Sequence, residues 1–575
     1  MPKIEVKQTG LERYSTLKPS VEELAEMLPA IKGEVDEVNR ETGVLKLEFN
    51  DTNRPDLWST AGAGRALRTY YTGWLPNYEF FSRQGKSLPD EGRRVVVEAS
   101  LRGIRPYLAA FALRGPAMDA VTLDDLIQTQ EKLCWNFGRK RKSIAMGVYR
   151  SEQIHYPVRY QAVNPDTTRF QPLGLDKTLS LREILKQHPK GVEYGPLVAD
   201  YAQFPFLTDS RGEVLSFPPI INSAQLGAVQ VGDRELFVEM TGTDLPSLTL
   251  AVSIVACDLA DAGYTILPVT VEYPDETPFG KTVTFPYYFQ DEVKAELGFI
   301  NKLLGINLVG EEAQQALAKM GVSSRYSNGQ LTVIPPVYRN DFLHPVDVAE
   351  DVAVGRGLAS FEPERPSDAT IGRLTDAELF GRRVRDLMIG MGFQEMIFNY
   401  LGSRRDFIER MNISGNEVVQ ILNPMTENYE FVRNSIAPNL LEAEGVSGNA
   451  LYPHHIFEVG KVVRLEPSHR EGSVTSNSLG WLSAAPEEGF NQINSRVAAL
   501  LYYLGKDYKV KESTDPRFIP GRAAEVWIER SPQPEFAPQA EFVGVFGEVH
   551  PEVLENWNAG VPCTLGELNL DVLAR

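Results

Sequence analysis

The chain has 575 residues, too many for one hydrophobic core, so roughly three to five domains are expected. Hydrophobic residues at 43% and charged residues at 23% describe an ordinary globular protein and exclude disordered, fibrous and disulfide-rich classes. A net charge of −19 excludes a protein that coats nucleic acid with its whole surface, while leaving room for a local basic groove.

No run of about 18 uncharged apolar residues exists, so no membrane-spanning helix is expected. The best candidate, Leu248 to Ala260, is interrupted by Asp258 and reads as a buried helix. Met1 to Thr9 mix Lys and Glu without an apolar stretch, so no secretory signal is expected. Cys134, Cys257 and Cys563 lie far apart, which excludes a cysteine-based zinc site and favours a reducing, cytoplasmic setting.

In chain order, Gly33 to Asn50 alternates apolar and polar residues about Thr42-Gly43 and predicts a hairpin. Asn53-Arg54-Pro55-Asp56 predicts a helix start, with Leu57, Ala61, Gly64, Leu67 and Tyr71 along one stripe and Gly73 as the stop. Residues 1–85 thus form an N-terminal α/β domain, closed by a loose Gly- and Pro-rich segment. A second domain, 90–270, carries strands at Val95–Ala99 and Tyr107–Leu113 and helices at Thr122–Phe137 and Asp244–Ala262. A third, 277–360, opens with a strand and has helices at Gln290–Leu304, Glu311–Met320 and Val346–Arg356, a small helical or winged-helix type. The fourth, 365–575, alternates long helices such as Asp376–Met391 with Val- and Phe-rich strands. The fold class is multidomain α+β.

Three local patterns carry chemistry. Gly138-Arg139-Lys140-Arg141-Lys142, preceded by Arg93, Arg94, Arg102, Arg105 and Arg114, is either a basic groove or a solvated loop. Asp347, Glu350 and Asp351 share one helix face, and Asp341 lies one loop upstream. Such crowded carboxylates suit a hard cation such as Mg²⁺, or simply complement a helix dipole. Finally, Pro218-Pro219 must sit at a sheet edge or pocket, and Met240-Thr241-Gly242-Thr243-Asp244 makes a strand-to-helix turn. That turn is either a helix cap or a site for an anionic or carbonyl-bearing ligand.

The stretch Ile334-Pro335-Pro336-Val337-Tyr338-Arg339-Asn340-Asp341 through Glu350-Asp351 resembles a signature of phenylalanine–tRNA ligase β subunits. The resemblance implies a magnesium ion shared with the α subunit and held by Asp341, Asp347, Glu350 and Asp351. Gly138 to Val148, Pro218 to Ser223 and Leu236 to Asp244 resemble the editing domain of the same family, which hydrolyses tRNA mischarged with tyrosine. On that resemblance Asn222, Ser223, Glu239, Thr241, Thr243 and Asp244 line the pocket, and Glu239 meets the tyrosine hydroxyl. No histidine lies between His188 and His344, so water placed by hydroxyls, backbone and the ribose is expected to act.

The last 200 residues or so resemble a class II synthetase core. Asn423 to Leu441 looks like motif 2 and Gly544 to Pro551 occupies the motif 3 position, yet the arginines that clamp ATP are missing. His550 is expected to be structural. The resemblance implies a non-catalytic subunit of an (αβ)₂ assembly that uses ATP and tRNA(Phe), with no membrane association. An inserted oligonucleotide-binding fold and an anticodon module are not recognised, which suggests the shorter archaeal/eukaryotic type. The alternatives are a free-standing deacylase and a silent tRNA-binding scaffold.

Overall fold

A computed structural model describes residues 2–414, 418–530 and 539–575. It divides into two compact units that meet at Glu364 and Arg365.

The first unit opens with β1 (Lys3–Lys7), α1 (Gln8–Ser15), β2 (Gly33–Asn39) and β3 (Val44–Phe49), in an antiparallel sheet ordered β1-β3-β2. Alternation along β3 buries Leu45, Leu47 and Phe49, as its two-residue period requires. Helix α2 spans Thr60–Thr72 and starts later than the sequence suggests. Arg54 and Asp56 are engaged in a buried bidentate pair, which leaves Pro55–Leu57 as a single tight turn. Ser59 then supplies the N-cap, accepting from Gly62 N–H at 2.9 Å. Helix α2 is a junction. Arg65 is buried and reaches Asp258 and Asp261, while the Tyr70 hydroxyl donates to the Val354 carbonyl at 3.1 Å.

The centre of this unit is a ten-stranded sheet. Its strands are β4 (Arg94–Val97), β5 (Tyr107–Arg114), β6 (Ile144–Arg150), β7 (Val158–Val163), β8 (Phe204–Thr208), β9 (Val214–Phe217), β10 (Ile221–Asn222), β11 (Glu235–Gly242), β12 (Thr265–Glu272) and β13 (Thr282–Phe285). They run β10-β9-β8-β7-β4-β12-β5-β11-β6, with β13 also on β12. Only β4 pairs in parallel, with β7 and β12. Helix α3 (Ala120–Lys132) ends in a wide π turn at Leu133–Phe137, and α4 (Leu245–Asp261) is buried along nearly its whole length. The strand β13, assigned in sequence to the next domain, belongs to this sheet through the pairing Val269↔Phe285.

The last part of the first unit has β14 (Val293–Glu296), α5 (Leu297–Leu304), α6 (Gly310–Lys319), β15 (Ser323–Ser327), β16 (Gln330–Ile334) and α7 (Pro345–Arg356). The sheet order is β14-β16-β15. The helix expected over Gln290–Leu304 begins only at Leu297, because Val293–Glu296 pairs with Gln330–Val333. Non-local ladder bonds there outweigh helical propensity.

The second unit holds α8 (Asp376–Gly390), β17 (Gln394–Glu395), α9 (Ala437–Val446), β18 (His454–Leu465), β19 (Ser473–Ala484), α10 (Phe490–Leu504), β20 (Tyr508–Glu512), β21 (Phe518–Arg530), β22 (Gln539–Val549) and β23 (Cys563–Asn569). Its seven-stranded sheet runs β17-β18-β19-β23-β22-β21-β20, antiparallel except at β17. Val384, Met388, Ile493 and Val497 pack one core, and Ile436, Leu440 and Leu441 another. Gly566 faces Trp481 across the ladder, and a Cβ there would run into the buried indole. The segment likened to motif 2 ends in the short strand Phe431–Val432 and α9.

Candidate active site

The site grows from β11, whose residues Leu236–Gly242 are buried between β5 and β6. Glu239 pairs with Ala110 on one side and Gly147 on the other. A glycine at 147 matters. Tyr149, two residues along β6 and therefore on the same face, folds back over it. A Cβ at 147 would lie 2.5 Å from Glu239 Oε1 and fall on the Tyr149 hydroxyl. The space so left lets the Tyr149 hydroxyl donate to Glu239 Oε1 at 2.8 Å and approach Asn222 Oδ1 at 3.4 Å.

Glu239 is 2% exposed, and its second oxygen, Oε2, has no hydrogen-bond partner among the described residues. Burial pushes its carboxyl up to about 7, against the opposing pull of the Tyr149 hydrogen bond and the Arg105 charge. Burial, reinforced by the Glu239 charge, also raises the Tyr149 phenol well above its usual range. Two residues on, the Thr241 hydroxyl accepts from Arg105 Nε at 3.0 Å. Arg105 is itself buried and donates to the carbonyls of Arg141 and Lys142 at 3.2 and 3.1 Å, tying the basic loop to the sheet. Glu239, Thr241, Asn222 and Arg141 border a cavity of about 410 Å³ whose lining also includes Met146, Val148 and Pro218. No histidine lines it.

Of the residues singled out in sequence, Asn222, Glu239 and Thr241 line this cavity together. Ser223 does not. Its hydroxyl turns inward and accepts from Leu226 N–H at 3.2 Å. Thr243 and Asp244 line an adjoining groove instead, and Asp244 caps α4 by accepting from Ser247 N–H at 3.1 Å. Tyr149 went unnoticed because the singled-out stretch stops one residue earlier, at Val148. Its position two after a glycine in an apolar strand was the available signal. Within the basic cluster, Arg94 and Arg102 are spent on Glu272 and Asp275 at the surface, and Arg105 is buried.

The acidic cluster is arranged differently from one ligand set. Arg339 is buried and forks onto Asp341 and Asp351, with nitrogen–oxygen distances of 2.6 Å to each. Its positive charge holds the Asp341 carboxyl down at about 2 despite burial. Asp347 accepts from the backbone N–H of Leu343 and His344 at 2.7 and 2.6 Å, closing the first turn of α7. Glu350 meets Lys32 at 2.7 Å. All four carboxylates have protein donors, and among the described residues no group of three or more candidate ligands could hold a metal. So arranged, they do not fit one magnesium ion.

In the second unit, Arg433 is fully buried and forks onto Glu458 at 2.7 and 2.8 Å, and also meets Asn439. His550 caps the helix Pro551–Asn556, accepting from Glu552 N–H at 3.2 Å.

Two family profiles match. Residues 362–570 match the phenylalanyl tRNA synthetase beta chain CLM domain, and residues 293–358 match the tRNA synthetase B5 domain. The phenylalanine–tRNA ligase beta subunit of Borrelia hermsii is 46% identical over 572 residues, 99% of each chain. The chain belongs to the phenylalanine–tRNA ligase β-subunit family. The corresponding Borrelia garinii subspecies bavariensis protein is 47% identical over 577 residues, covering 100% of this chain and 99% of its own. These full-length relatives are bacterial. An N-terminal fragment of the phenylalanyl-tRNA synthetase β-subunit from Pyrococcus horikoshii aligns with TM-score 0.58 and 35% identity, over 62% of this chain and 100% of that one. The B5 match includes α7 and the Arg339 cluster.

Proposed function

We propose that this β-family chain works with an α subunit in an (αβ)₂ assembly that joins phenylalanine to tRNA(Phe) using ATP, and that its own cavity hydrolyses tyrosyl-tRNA(Phe). The observation that carries the hydrolytic part is Glu239, with one oxygen held by Tyr149 and the other unpartnered beside a cavity. A tyrosyl ester would donate its phenolic O–H to Oε2. A phenylalanyl ester would bury that oxygen without a partner, which costs about 1–3 kcal/mol and more if it is charged. Sites built to bond a hydroxyl reject analogues that lack it far more strongly than apolar pockets reject small differences.

Hydrolysis then adds water across the ester carbonyl and releases tyrosine and the free ribose hydroxyl. The Thr241 oxygen accepts from Arg105, which leaves its hydrogen to donate to the ester or to the water. The Asn222 amide lies on the same cavity wall. With no imidazole in the lining, water is placed by these groups and the ribose.

The second unit is proposed as a synthetase-like core without a nucleotide clamp. Arg433, the arginine of the motif 2-like segment, is committed to Glu458 and has no surface left for a phosphate. The archaeal/eukaryotic-type layout rests on the sequence resemblance; the Pyrococcus fragment is 35% identical over 62% of this chain, and the full-length relatives are bacterial. A cytoplasmic setting is supported by three cysteines that are buried and unpaired. Magnesium at Asp341, Asp347, Glu350 and Asp351 rests on the family resemblance alone, and the pairs to Arg339 and Lys32 would have to open for the four to share it.

The test is deacylation of tyrosyl-tRNA by the α·β complex. Glu239→Ala and Asn222→Ala should each abolish most of the hydrolysis while phenylalanylation continues. Hydrolysis surviving both changes would refute the assignment.

A further inference from the structure

The basic loop beside the cavity is unusually shaped. After the π turn at Leu133–Phe137, Arg139, Lys140 and Arg141 all take left-handed backbone conformations, with φ of +50°, +54° and +65°. Each costs on the order of 1 kcal/mol for a residue with a side chain. The strain is held by Lys140 N–H on the Trp135 carbonyl and Arg141 N–H on the Cys134 carbonyl, both 2.8 Å, and by Arg105 beneath. The fold thus fixes where the cations of this loop stand.

Arg139 and Arg141 border a groove of about 1230 Å³ that adjoins the Glu239 cavity, since Ile127, Gln130, Arg141 and Lys190 line both. Trp135 stands in the groove 47% exposed, with Lys140 Nζ 5.0 Å from its ring centroid. Lys132 and Arg139 line the same wall, and neither has a carboxylate partner among the described residues. An exposed indole framed by free cations, leading to a narrow cavity, has the makeup of a single-stranded RNA site. Bases stack on aromatic faces, phosphates meet Lys and Arg, and stacking contributes about 1–3 kcal/mol per base.

We propose that this groove receives the single-stranded 3′ end of the aminoacylated tRNA, with Trp135 as the stacking platform for a base and Lys132, Arg139 and Lys140 as phosphate contacts. The esterified terminal ribose then enters the cavity. The proposal rests on the hydrolytic role of that cavity.

The experiment measures initial rates of tyrosyl-tRNA deacylation by the α·β complex against tRNA concentration, at several salt concentrations. Trp135→Ala should raise the half-saturating concentration about tenfold, and Trp135→Phe, which keeps a ring, should recover most of the loss. Arg139→Ala with Lys140→Ala should lower the slope of log affinity against log salt by about 1–2. A half-saturating concentration unchanged in Trp135→Ala, in an enzyme whose Glu239→Ala variant has lost hydrolysis, overturns the groove and leaves the cavity standing. If the wild-type complex does not hydrolyse tyrosyl-tRNA, the cavity's role fails. The groove is then judged by anisotropy of a labelled single-stranded oligoribonucleotide bearing the tRNA 3′ sequence. Binding weakened by Trp135→Ala supports it, and binding unaffected by that change, or absent, overturns it.

Discussion

Glu239 ties the chemistry to a measurable pH dependence. Its carboxyl titrates at about 7 when folded, against an ordinary value of 4.5. The folded chain therefore holds this proton more tightly than the unfolded chain does. Between those values stability falls as pH rises, by about 3 kcal/mol in all. Glu239→Gln should remove that fall, seen as a smaller difference between denaturation midpoints at pH 5 and pH 8. An unchanged difference would mean that Glu239 is not the buried group responsible. The Tyr149 hydrogen bond pulls the carboxyl down, so Tyr149→Phe should move any Glu239-linked midpoint in the hydrolysis profile to higher pH. Gly147→Ala should separate Tyr149 from Glu239 and lower hydrolysis as strongly as Tyr149→Phe, at a folding cost of about 1–3 kcal/mol. Glu239, Asn222 and Thr241 were legible in the sequence because they recur in a recognisable order. Tyr149 was not, because its partnership depends on register between β6 and β11, and a single strand does not reveal which residue of another strand lies opposite.

At the scale of elements, α7 and its preceding loop show how a spacing legible in sequence leaves the partners of its carboxylates unstated. Asp347, Glu350 and Asp351 do share the helix, and Arg339, three residues after the Pro335-Pro336 pair of the same motif, forks onto Asp341 and Asp351. Removing a buried cation from two buried carboxylates leaves charge unpaired, at a cost of about 3–5 kcal/mol. Arg339→Met should therefore lower the unfolding midpoint of the chain sharply. Arg339→Lys should rescue it poorly, since one ammonium cannot fork onto both acids. Because Asp341 titrates at about 2, below its ordinary 3.8, its contribution is present above pH 4 and lost as pH falls through 2. Arg339→Met should flatten the acid limb of the stability profile. A variant as stable as the wild type at pH 7 would sink this account. The hairpin β2–β3 was legible through its alternation and its Gly43 turn, whereas β14 was read as helix because only its partner β16 makes it a strand.

At the scale of the whole chain, two consequences separate the units. The second unit exposes Leu422 and Met425 almost completely, each at 98%, in a stretch that no apolar neighbour of its own covers. If the α subunit seats there, Met425 should be protected from oxidation in the α·β complex and labelled in the free chain. Equal labelling would place the α contact elsewhere. The purified chain alone should form no phenylalanyl-tRNA, and the mixture with α should. In the first unit, α2 joins Asp258 and Asp261 of α4 through Arg65, and Val354 of α7 through Tyr70. The opening residues are thus less a detachable head than a keystone. Truncations that begin after residue 85 would strip an internal support from both neighbours and expose Asp258 without its counter-charge. Anyone wishing to isolate the Glu239 cavity should cut near Glu364, and leave the amino terminus in place.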